Sequence, residues 1–351
     1  MPYFSIILPA YNIAEFLPEA LESLLCQTDP DFELLLVDDG STDGTGAICD
    51  EYARKDARVC TIHQKNAGAH TARNAAIDLA SGEYLFFMDG DDRAEPGMLA
   101  AMRDVAEKTH AELVIFGFYI DTHYAGGTPS VEKKSHPDAY YPNAASFRRA
   151  AVELFDQNLL YPPWNKLFLT SRVNAQNIRF RKTMWDDFPF NLDYIRDVQT
   201  VAVDARAYYH FLRGLRKSET SKYFSGMGDK REEEHRDLLD LYAHWNLADD
   251  PKVQEMLARR YVERVFGVLE NIVCRQSPLS PREKRAAIRK LIRSREVRES
   301  ARRAQSRSIH MKLMLLVILT GSARLTHCLS RLISYAKVHC RRTFTYLKRH
   351  R

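Results

Sequence analysis

Residues 33–45 read ELLLVDDGSTDGT, and residues 82–92 read GEYLFFMDGDD. In both stretches an uninterrupted apolar run ends in a cluster of aspartates and glycines. Short apolar runs without alternation are typical of strands that are buried on both faces, as in a parallel sheet. The predicted strands span 4–8, 32–37, 59–63, 84–88 and 113–118, and the predicted helices span 14–26, 45–55, 69–80 and 96–108. This alternation predicts an α/β fold with a mainly parallel central sheet.

The rest of the chain follows other patterns. Residues 119–145 are rich in Gly and Pro and have no periodicity, so we predict a long loop or an excursion there. Residues 146–225 mix helical and short strand patterns, and residues 226–305 alternate charged stretches with apolar ridges at helical spacing. We therefore predict a first domain over 1–225, divided into halves 1–118 and 119–225, then a helical section over 226–305 and a tail over 306–351.

Composition excludes several classes of protein. Apolar residues make up 45% and charged residues 28% of the 351 residues, which is ordinary for a globular protein and excludes disorder over most of the chain. The six cysteines form no CxxC pair, which argues against a disulfide scaffold or a zinc site and favours reduced thiols in a cytosolic protein. We expect no signal peptide, because no basic segment precedes the first apolar run, and no membrane span, because the run at 313–319 is too short.

Charge is distributed unevenly along the chain. Residues 282–351 contain 20 Lys and Arg against 3 Glu, whereas residues 1–281 contain 31 Lys and Arg against 43 Asp and Glu. A basic tail on an acidic body predicts a polyanionic partner for the tail, such as a membrane surface, a nucleic acid or an anionic glycan.

Three clusters of carboxylates are the strongest candidates for chemistry. They are Asp38, Asp39 and Asp43 after the second strand, Asp89, Asp91 and Asp92 after the fourth, and Asp186 with Asp187 in MWDDFPF. Crowded carboxylates at strand ends repel one another unless a cation or ligand compensates them, and Mg²⁺ or Mn²⁺ is a natural partner for such oxygens. The alternative is that these aspartates are turn and helix-capping residues.

As a set, the motifs resemble the family 2 glycosyltransferases with the Rossmann-like GT-A fold. The motifs are SIILPAYN, ELLLVDDGSTDGT, NAGAHTARNAAI and GEYLFFMDGDD, followed by PPWNKLF at 162–168, IRF at 178–180 and WDDFPFNLDY at 185–194. The later pieces resemble the bacterial subgroup that builds capsules, exopolysaccharides and lipooligosaccharides. The resemblance implies an inverting transfer of a sugar from a nucleotide diphosphate donor, usually with Mg²⁺ or Mn²⁺.

The resemblance also implies roles on the donor side. Pro9, Tyr11 and Asn12 line the pocket for the nucleobase and ribose, and Asp39 accepts a hydrogen bond from the base, most plausibly uracil. Asp89 and Asp91 form the D-x-D pair, with Asp91 as the metal ligand and Asp89 facing the ribose and the metal. Arg73 lies near the nucleotide; the alternative is a surface arginine that pairs with a carboxylate.

On the acceptor side, Asp187 matches the general base of the family. Relatives have Glu-Asp where this chain has Asp186-Asp187, which leaves the role of Asp186 open. The remaining candidates would either support the donor-side and base residues from the protein interior or contact the diphosphate or the acceptor. They are Asp92, Trp164, Asn165, Lys166, Arg213 and Arg216. For the two arginines, a basic loop that faces water is the alternative.

We therefore predict a transferase that moves a sugar, most plausibly from a UDP-sugar, to a glycan or lipid-linked acceptor. A catalytically degenerate binding subunit is an alternative. A nucleic-acid-binding protein is disfavoured because no known binding motif accompanies the Arg-rich region. Over 324–348 the tail interleaves apolar and basic residues, with Leu325, Leu329, Leu332 and Ile333 as the apolar side. This pattern suits a helix on the anionic cytoplasmic face of a membrane, or else a helix docked on the body.

Overall fold

A computed structural model describes residues 1–123, 128–214, 223–306 and 308–339. The chain divides into two compact units, Met1–Lys217 and Ser218–Arg351. The first unit contains a mixed sheet and its covering helices, and the second unit is helical in its described part.

In the first unit, strands and helices alternate as far as the fourth strand. The strands are β1 (Phe4–Ala10), β2 (Phe32–Asp38), β3 (Val59–His63), β4 (Tyr84–Phe87), β5 (Arg93–Ala94), β6 (Leu113–Thr122), β7 (Ser130–Lys134), β8 (Ala139–Tyr141), β9 (Lys166–Leu169) and β10 (Val201–Arg213). The helices are α1 (Leu17–Leu25), α2 (Thr45–Lys55), α3 (Ala69–Leu79), α4 (Met98–Thr109), α5 (Ala144–Asp156), α6 (Thr170–Ala175) and α7 (Asp187–Ile195).

The strand order of the sheet is β3-β2-β1-β4-β9-β6-β10-β5. Strands β3, β2, β1 and β4 pair in parallel, and β6 pairs in parallel with β10. Strand β9 is antiparallel to both β4 and β6, so six strands of the sheet point in one direction. The predicted mainly parallel α/β sheet is confirmed. The carboxyl ends of β1, β2 and β4 consequently meet at one edge, where parallel sheets bind ligands.

Burial explains why the early strands were predictable from sequence. Successive residues of a strand point to opposite faces of the sheet, and both Ile6 and Ile7 in β1 and both Leu85 and Phe86 in β4 are completely buried. Both faces of this part of the sheet are therefore covered. A strand in that position needs an unbroken apolar run, which is the pattern at 33–37 and 84–87.

Of the two alternatives predicted for 119–145, the long loop is wrong, because strands β7 and β8 lie in this segment. Strand β6 continues to Thr122, β7 pairs with β6 as an antiparallel partner, and β8 pairs with β10. Strand β7 has exposed or half-buried side chains throughout, so it needs no apolar pattern. Its backbone hydrogen bonds with β6 hold it in place, and Pro129, Pro137 and Pro142 fall outside the strands.

The second unit contains helices, as predicted for residues 226–305. They are α8 (Met227–His244), α9 (Pro251–Val273), α10 (Pro281–Arg293), α11 (Arg295–Arg303), α12 (Ile309–Leu319) and α13 (Ala323–His339). Helix α9 is the centre of the unit: it is buried along most of its length and packs against α8, α10, α11 and α13. Asp250 caps its first turn by accepting hydrogen bonds from the backbone N–H of Lys252 and Val253.

Two further findings concern the described part of the chain. None of its helices combines the length and the apolarity needed to cross a membrane. Its five cysteines, Cys26, Cys49, Cys60, Cys274 and Cys328, are all free thiols.

Candidate active site

The carboxyl end of β2 is organised by Asp39. Its Oδ1 accepts hydrogen bonds from Gln64 Nε2 at 2.6 Å and from the N–H of Ala67 at 2.9 Å, and its Oδ2 accepts one from the N–H of Gly68 at 2.8 Å. Gly40 follows with φ of 73°, and a Cβ there would lie 2.7 Å from the backbone nitrogen of Asn66. The VDDG sequence thus brings the segment after β3 against the end of β2. Asp39, the predicted hydrogen-bond acceptor for the nucleobase, also holds these two segments together.

The carboxyl end of β1 contains the other three residues predicted to line the nucleotide pocket. Pro9 is the penultimate residue of β1, and Tyr11, just beyond the strand, is 47% exposed. Asn12 has φ of 50°, and its Oδ1 accepts a hydrogen bond from the N–H of Thr42 at 2.8 Å. Its own N–H donates to the Ser41 hydroxyl at 3.1 Å. Asn12 therefore ties the end of β1 to the turn after β2.

The three aspartates after β4 have different environments. Asp89 and Asp91 are half-buried, whereas Asp92 is only 2% exposed. Asp92 accepts hydrogen bonds from the Tyr209 hydroxyl at 2.6 Å and from the N–H of Leu212 at 2.8 Å. Burial, together with the nearby charges of Asp89 and Asp91, raises the pKa of Asp92 well above its usual range. Asp92 thus anchors strand β10 behind the pair Asp89 and Asp91.

A single arginine joins the D-x-D pair to the MWDDFPF segment. Arg73, on α3, lies with Nη2 at 2.9 Å from Asp89 Oδ1 and with Nη1 at 3.3 Å from Asp186 Oδ2 and 3.2 Å from Asp187 Oδ1. Its guanidinium also lies 5.0 Å from the ring centre of Phe180. Although burial alone would lower the pKa of Arg73, the three carboxylates raise it overall. Arg73 is therefore a buried internal cation and not a surface arginine.

Asp187 has the least satisfied carboxylate of this cluster. It is the first residue of α7, and its side chain is 34% exposed, compared with 14% for Asp186. Its Oδ1 is buried and has no hydrogen-bond partner among the described residues, since the contact with Arg73 lacks hydrogen-bond geometry. Burial raises the pKa of Asp187 to about 7, against the opposing effect of Arg73 and with a contribution from Asp186. A carboxylate with such a pKa can accept a proton near neutral pH.

The PPWNKLF segment lies inside the first unit. Trp164 stacks on Tyr209 at 4.5 Å between ring centres, and Asn165 and Lys166 are completely buried. The Lys166 ammonium donates to the carbonyl oxygens of Leu159 and Pro162 and to the Asn165 side chain. Burial lowers the pKa of Lys166 well below its usual range, against the opposing effect of the Asp187 charge. Asn165 and Lys166 thus hold the loop that leads into β9.

The last two candidates follow β10. Arg213 is exposed and stacks over Phe211, with 5.2 Å between the guanidinium and the ring centre. Arg216 lies outside the described residues. No group of three or more His, Cys, Asp or Glu side chains that could hold a metal ion occurs within the described ranges.

Sequence reasoning missed two residues of the site. The Asn74 side chain donates to the carbonyl of Phe180 and accepts from its N–H, both at 2.8 Å, so it fastens α3 to the segment before α7. The Tyr209 hydroxyl joins Asp92 to the backbone N–H of Asp89, which donates to it at 3.2 Å. Asn74 directly follows Arg73 in the TARN motif, and that polar pair within a helix was the available signal. Tyr209 gave none, because an aromatic residue in a strand is ordinary.

The class of protein follows from comparison with known families. Residues 5–169 match the family described as Glycosyl transferase family 2, a range that includes Arg73, Asp89 and Asp91 and ends before Asp187. Residues 5–169 therefore form a family 2 glycosyltransferase domain.

Individual relatives extend the similarity over most of the chain. The uncharacterized glycosyltransferase EpsJ of Bacillus subtilis (strain 168) is 29% identical over 313 residues, which cover 86% of this chain and 87% of EpsJ. The cholesterol galactosyltransferase of Borreliella burgdorferi is 26% identical over 303 residues, 76% of this chain and 82% of its own length. The crystal structure of S. aureus TarS 1-349 in complex with UDP-GlcNAc has a TM-score of 0.64 and 21% identity, covering 95% of this chain and 91% of that one. This structural similarity confirms the GT-A fold.

Proposed function

We propose that this protein is an inverting glycosyltransferase that moves a sugar from a nucleotide diphosphate donor to a hydroxyl of a glycan or lipid-linked acceptor in bacterial surface polysaccharide synthesis. The observation that carries the proposal is the position of Arg73. Its two terminal nitrogens lie within 3.3 Å of the donor-side carboxylate Asp89 and of Asp186 and Asp187. One guanidinium thus sets the distance between the donor side and the candidate base.

Asp187 is the base in this proposal. Its partly exposed side chain and its pKa of about 7 suit a group that takes a proton from the acceptor hydroxyl as that oxygen attacks the anomeric carbon. The nucleotide diphosphate leaves from the opposite side of the sugar, so a single displacement inverts the anomeric centre. Asp186 is less suited to this role because its carboxylate is more buried and already accepts a hydrogen bond from Arg73, whereas Asp187 Oδ1 accepts none among the described residues.

The residues after β4 fit a divalent cation. Asp89 and Asp91 offer carboxylate oxygens, which Mg²⁺ and Mn²⁺ prefer, and such cations typically complete their coordination with water and substrate phosphates rather than with a full protein cage. Asp91 would hold the ion, with Asp89 beside it. When bound, the cation would stabilise the negative charge of the leaving diphosphate. Arg213 extends from the end of β10, and we propose that it and Arg216 bind the diphosphate.

The donor and acceptor classes rest on similarity. TarS was solved with UDP-GlcNAc and with UDP, and this favours a UDP-sugar as the donor. The name of the Borreliella relative specifies a lipid acceptor, cholesterol, and this favours an acceptor in or near a membrane. We therefore propose that the enzyme acts in the cytoplasm, at the surface of the cytoplasmic membrane.

A matched pair of variants tests the proposal. Asp187→Asn keeps the shape of the side chain but cannot take a proton, so we expect kcat to fall by at least ~10²-fold while UDP binding is retained. Asp186→Asn is the control. In this scheme the Asp186 carboxylate accepts no proton, and the asparagine of the variant keeps an amide near Arg73. Donor class is measured first, as stabilisation of the protein by UDP, GDP, CMP or dTDP with Mn²⁺. Activity of Asp187→Asn within a few-fold of wild type, with Asp186→Asn inactive, would transfer the base role to Asp186.

A further inference from the structure

Helix α13 presents the opposite of the usual amphipathic arrangement. The side facing α9 and α10 consists of small and polar residues: Ala323, Thr326 and Ser330 are at most 7% exposed. The large apolar residues point outward, with Leu325 at 54% and Leu332 at 63% exposed. The exposed Cys328 and Tyr335 continue the same stripe at spacings of three and four residues. Packing among the residues that the structure describes therefore does not explain why this side is apolar.

Helix α12 has a second outward apolar side. It packs into the unit through Met311, Met314 and Ile318, which are at most 2% exposed. On the opposite side, Ile309, Leu313 and Leu316 are 57%, 48% and 63% exposed, at spacings of four and three residues. We call these outward sides of α12 and α13 the outer face. Six of the thirteen exposed large hydrophobic residues in the described part of the chain lie on it, within residues 309–335.

The segment that forms the outer face carries charge of one sign. No acidic residue occurs between Glu299 and the end of the sequence, and Lys312, Arg324 and Arg331 are exposed beside the apolar residues. His327 reports the same positive environment, because burial and the nearby cations Arg331, Arg285 and Lys284 all lower its pKa. Exposed apolar patches rimmed by polar residues are typical of interaction sites.

We infer that the outer face of α12 and α13 is a lipid-binding surface that lies in the interface of an anionic membrane. Leucines inserted at the level of the acyl chains and cations at the level of the head groups are the arrangement by which amphipathic helices bind such surfaces. A second copy of the chain fits less well, because a symmetric contact would bring the same cations together without an acidic partner. This inference deepens the membrane location proposed above and does not depend on the transfer reaction.

Vesicle flotation of the full chain, without nucleotide or metal, tests the inference. We expect binding to vesicles of phosphatidylcholine with phosphatidylglycerol, and weaker binding to phosphatidylcholine alone. Binding should decrease between about 0.1 M and about 1 M NaCl, where the Debye length falls from about 10 Å to about 3 Å. The variant Leu316→Ser/Leu325→Ser/Leu332→Ser should bind the anionic vesicles at least tenfold more weakly, because each leucine contributes apolar area to insertion.

The control is Leu79→Ser/Val131→Ser/Leu239→Ser, whose residues are 57%, 58% and 42% exposed outside the outer face. It should bind vesicles like the wild type, and circular dichroism should show that both triple variants are folded. Equal vesicle binding by the two triple variants would overturn the inference. A second result would also overturn it: the wild type and the control variant are dimeric by light scattering, and only the outer-face variant is monomeric. The outer face would then be a contact between copies of the chain. Binding that is indifferent to lipid charge and to salt would refute the role of the cations.

Discussion

Replacing Arg73 by methionine should destabilise the first unit in a pH-dependent way. The side chain is 7% exposed and is the cation that lies between Asp89, Asp186 and Asp187. Methionine keeps much of the apolar stem against Phe180 but removes the charge. The three carboxylates then lose the cation that lies between them, and burial together with their mutual repulsion disfavours their charged forms.

The size of the effect follows from the burial of the partners. Leaving a buried charge unpaired typically costs about 3–5 kcal/mol. Because Asp89 is 30% and Asp187 34% exposed, water relieves part of this cost, and we expect about 3 kcal/mol at pH 8. For a unit of this size that corresponds to a decrease in Tm of about 6–12 °C.

The sign of the pH dependence is fixed by linkage. A carboxyl group whose pKa is higher in the folded than in the unfolded protein contributes stability below the unfolded value, about 3.9, and loses it as pH rises through the folded value. The loss in Arg73→Met should therefore be largest above pH 7 and smallest at pH 4, where the folded variant holds its carboxyl groups protonated. A loss of about 1 kcal/mol should remain at pH 4, because the contact between the guanidinium and Phe180 is missing.

Urea unfolding followed by fluorescence at pH 4, 6 and 8 measures this dependence. Arg179→Met is the matched control, because Arg179 pairs with Asp78 at 2.7 Å but with side-chain exposures of 26% and 62%. We expect that control to cost at most about 1 kcal/mol at all three pH values. A cost for Arg73→Met that equals the control, or that is constant with pH, would refute the view that Arg73 compensates buried carboxylates.

Three further predictions concern the same site. Since the pKa of Asp187 is about 7 and the base must be ionised, kcat/KM should rise with pH through that value, and the inflection should move upward in Arg73→Met; a profile flat from pH 5 to 8 would contradict this. Asp91→Ala should lose Mn²⁺-dependent binding of UDP in titration calorimetry while Tm is unchanged, and undiminished metal-dependent affinity would remove Asp91 from the metal site. Tyr209→Phe should cost about 1–3 kcal/mol in urea unfolding, because the buried Asp92 loses a hydrogen-bond donor, and a cost below about 0.5 kcal/mol would show that this bond contributes little.

The parts of the fold that could be predicted are those in which burial is continuous. Strands β2 and β4 are buried on both faces, so each must be an apolar run, and an aspartate cluster directly after such a run must lie at the carboxyl edge of the sheet. Local sequence therefore predicts that Asp39 and Asp89 lie at the carboxyl edge of the sheet. Strands β7 and β9 could not be found in this way. The first is mostly exposed, and the second is a four-residue strand held between β4 and β6.

Contacts that join distant parts of the chain were the least predictable feature of the site. Arg73 and Asp186 are 113 residues apart, and Tyr209 and Asp92 are 117 apart. Periodicity shows which side of α3 or β10 is buried, but it does not identify the residue that will lie opposite. Arg73 could be proposed only through the resemblance of its motif. The hydrogen bond of Tyr209 depends on the register shifts in the pairing of β10 with β6, which lie between Asp204 and Tyr209 of β10.

The C-terminal region shows why a periodic pattern can leave two interpretations open. The sequence pattern places Leu325, Leu329, Leu332 and Ile333 on one apolar side, and a membrane helix and a docked helix both require that spacing. In the structure α13 is docked on α9 and α10, and Leu329 and Ile333 are half-buried. Docking nevertheless uses the side with Thr326 and Ser330, because small side chains allow close approach of neighbouring helices. The two interpretations are therefore not exclusive. An apolar stripe shows which side of a helix avoids water, but it does not show whether protein or lipid covers that side. Here the answer depends on the opposite side, whose small residues give no recognisable sequence pattern.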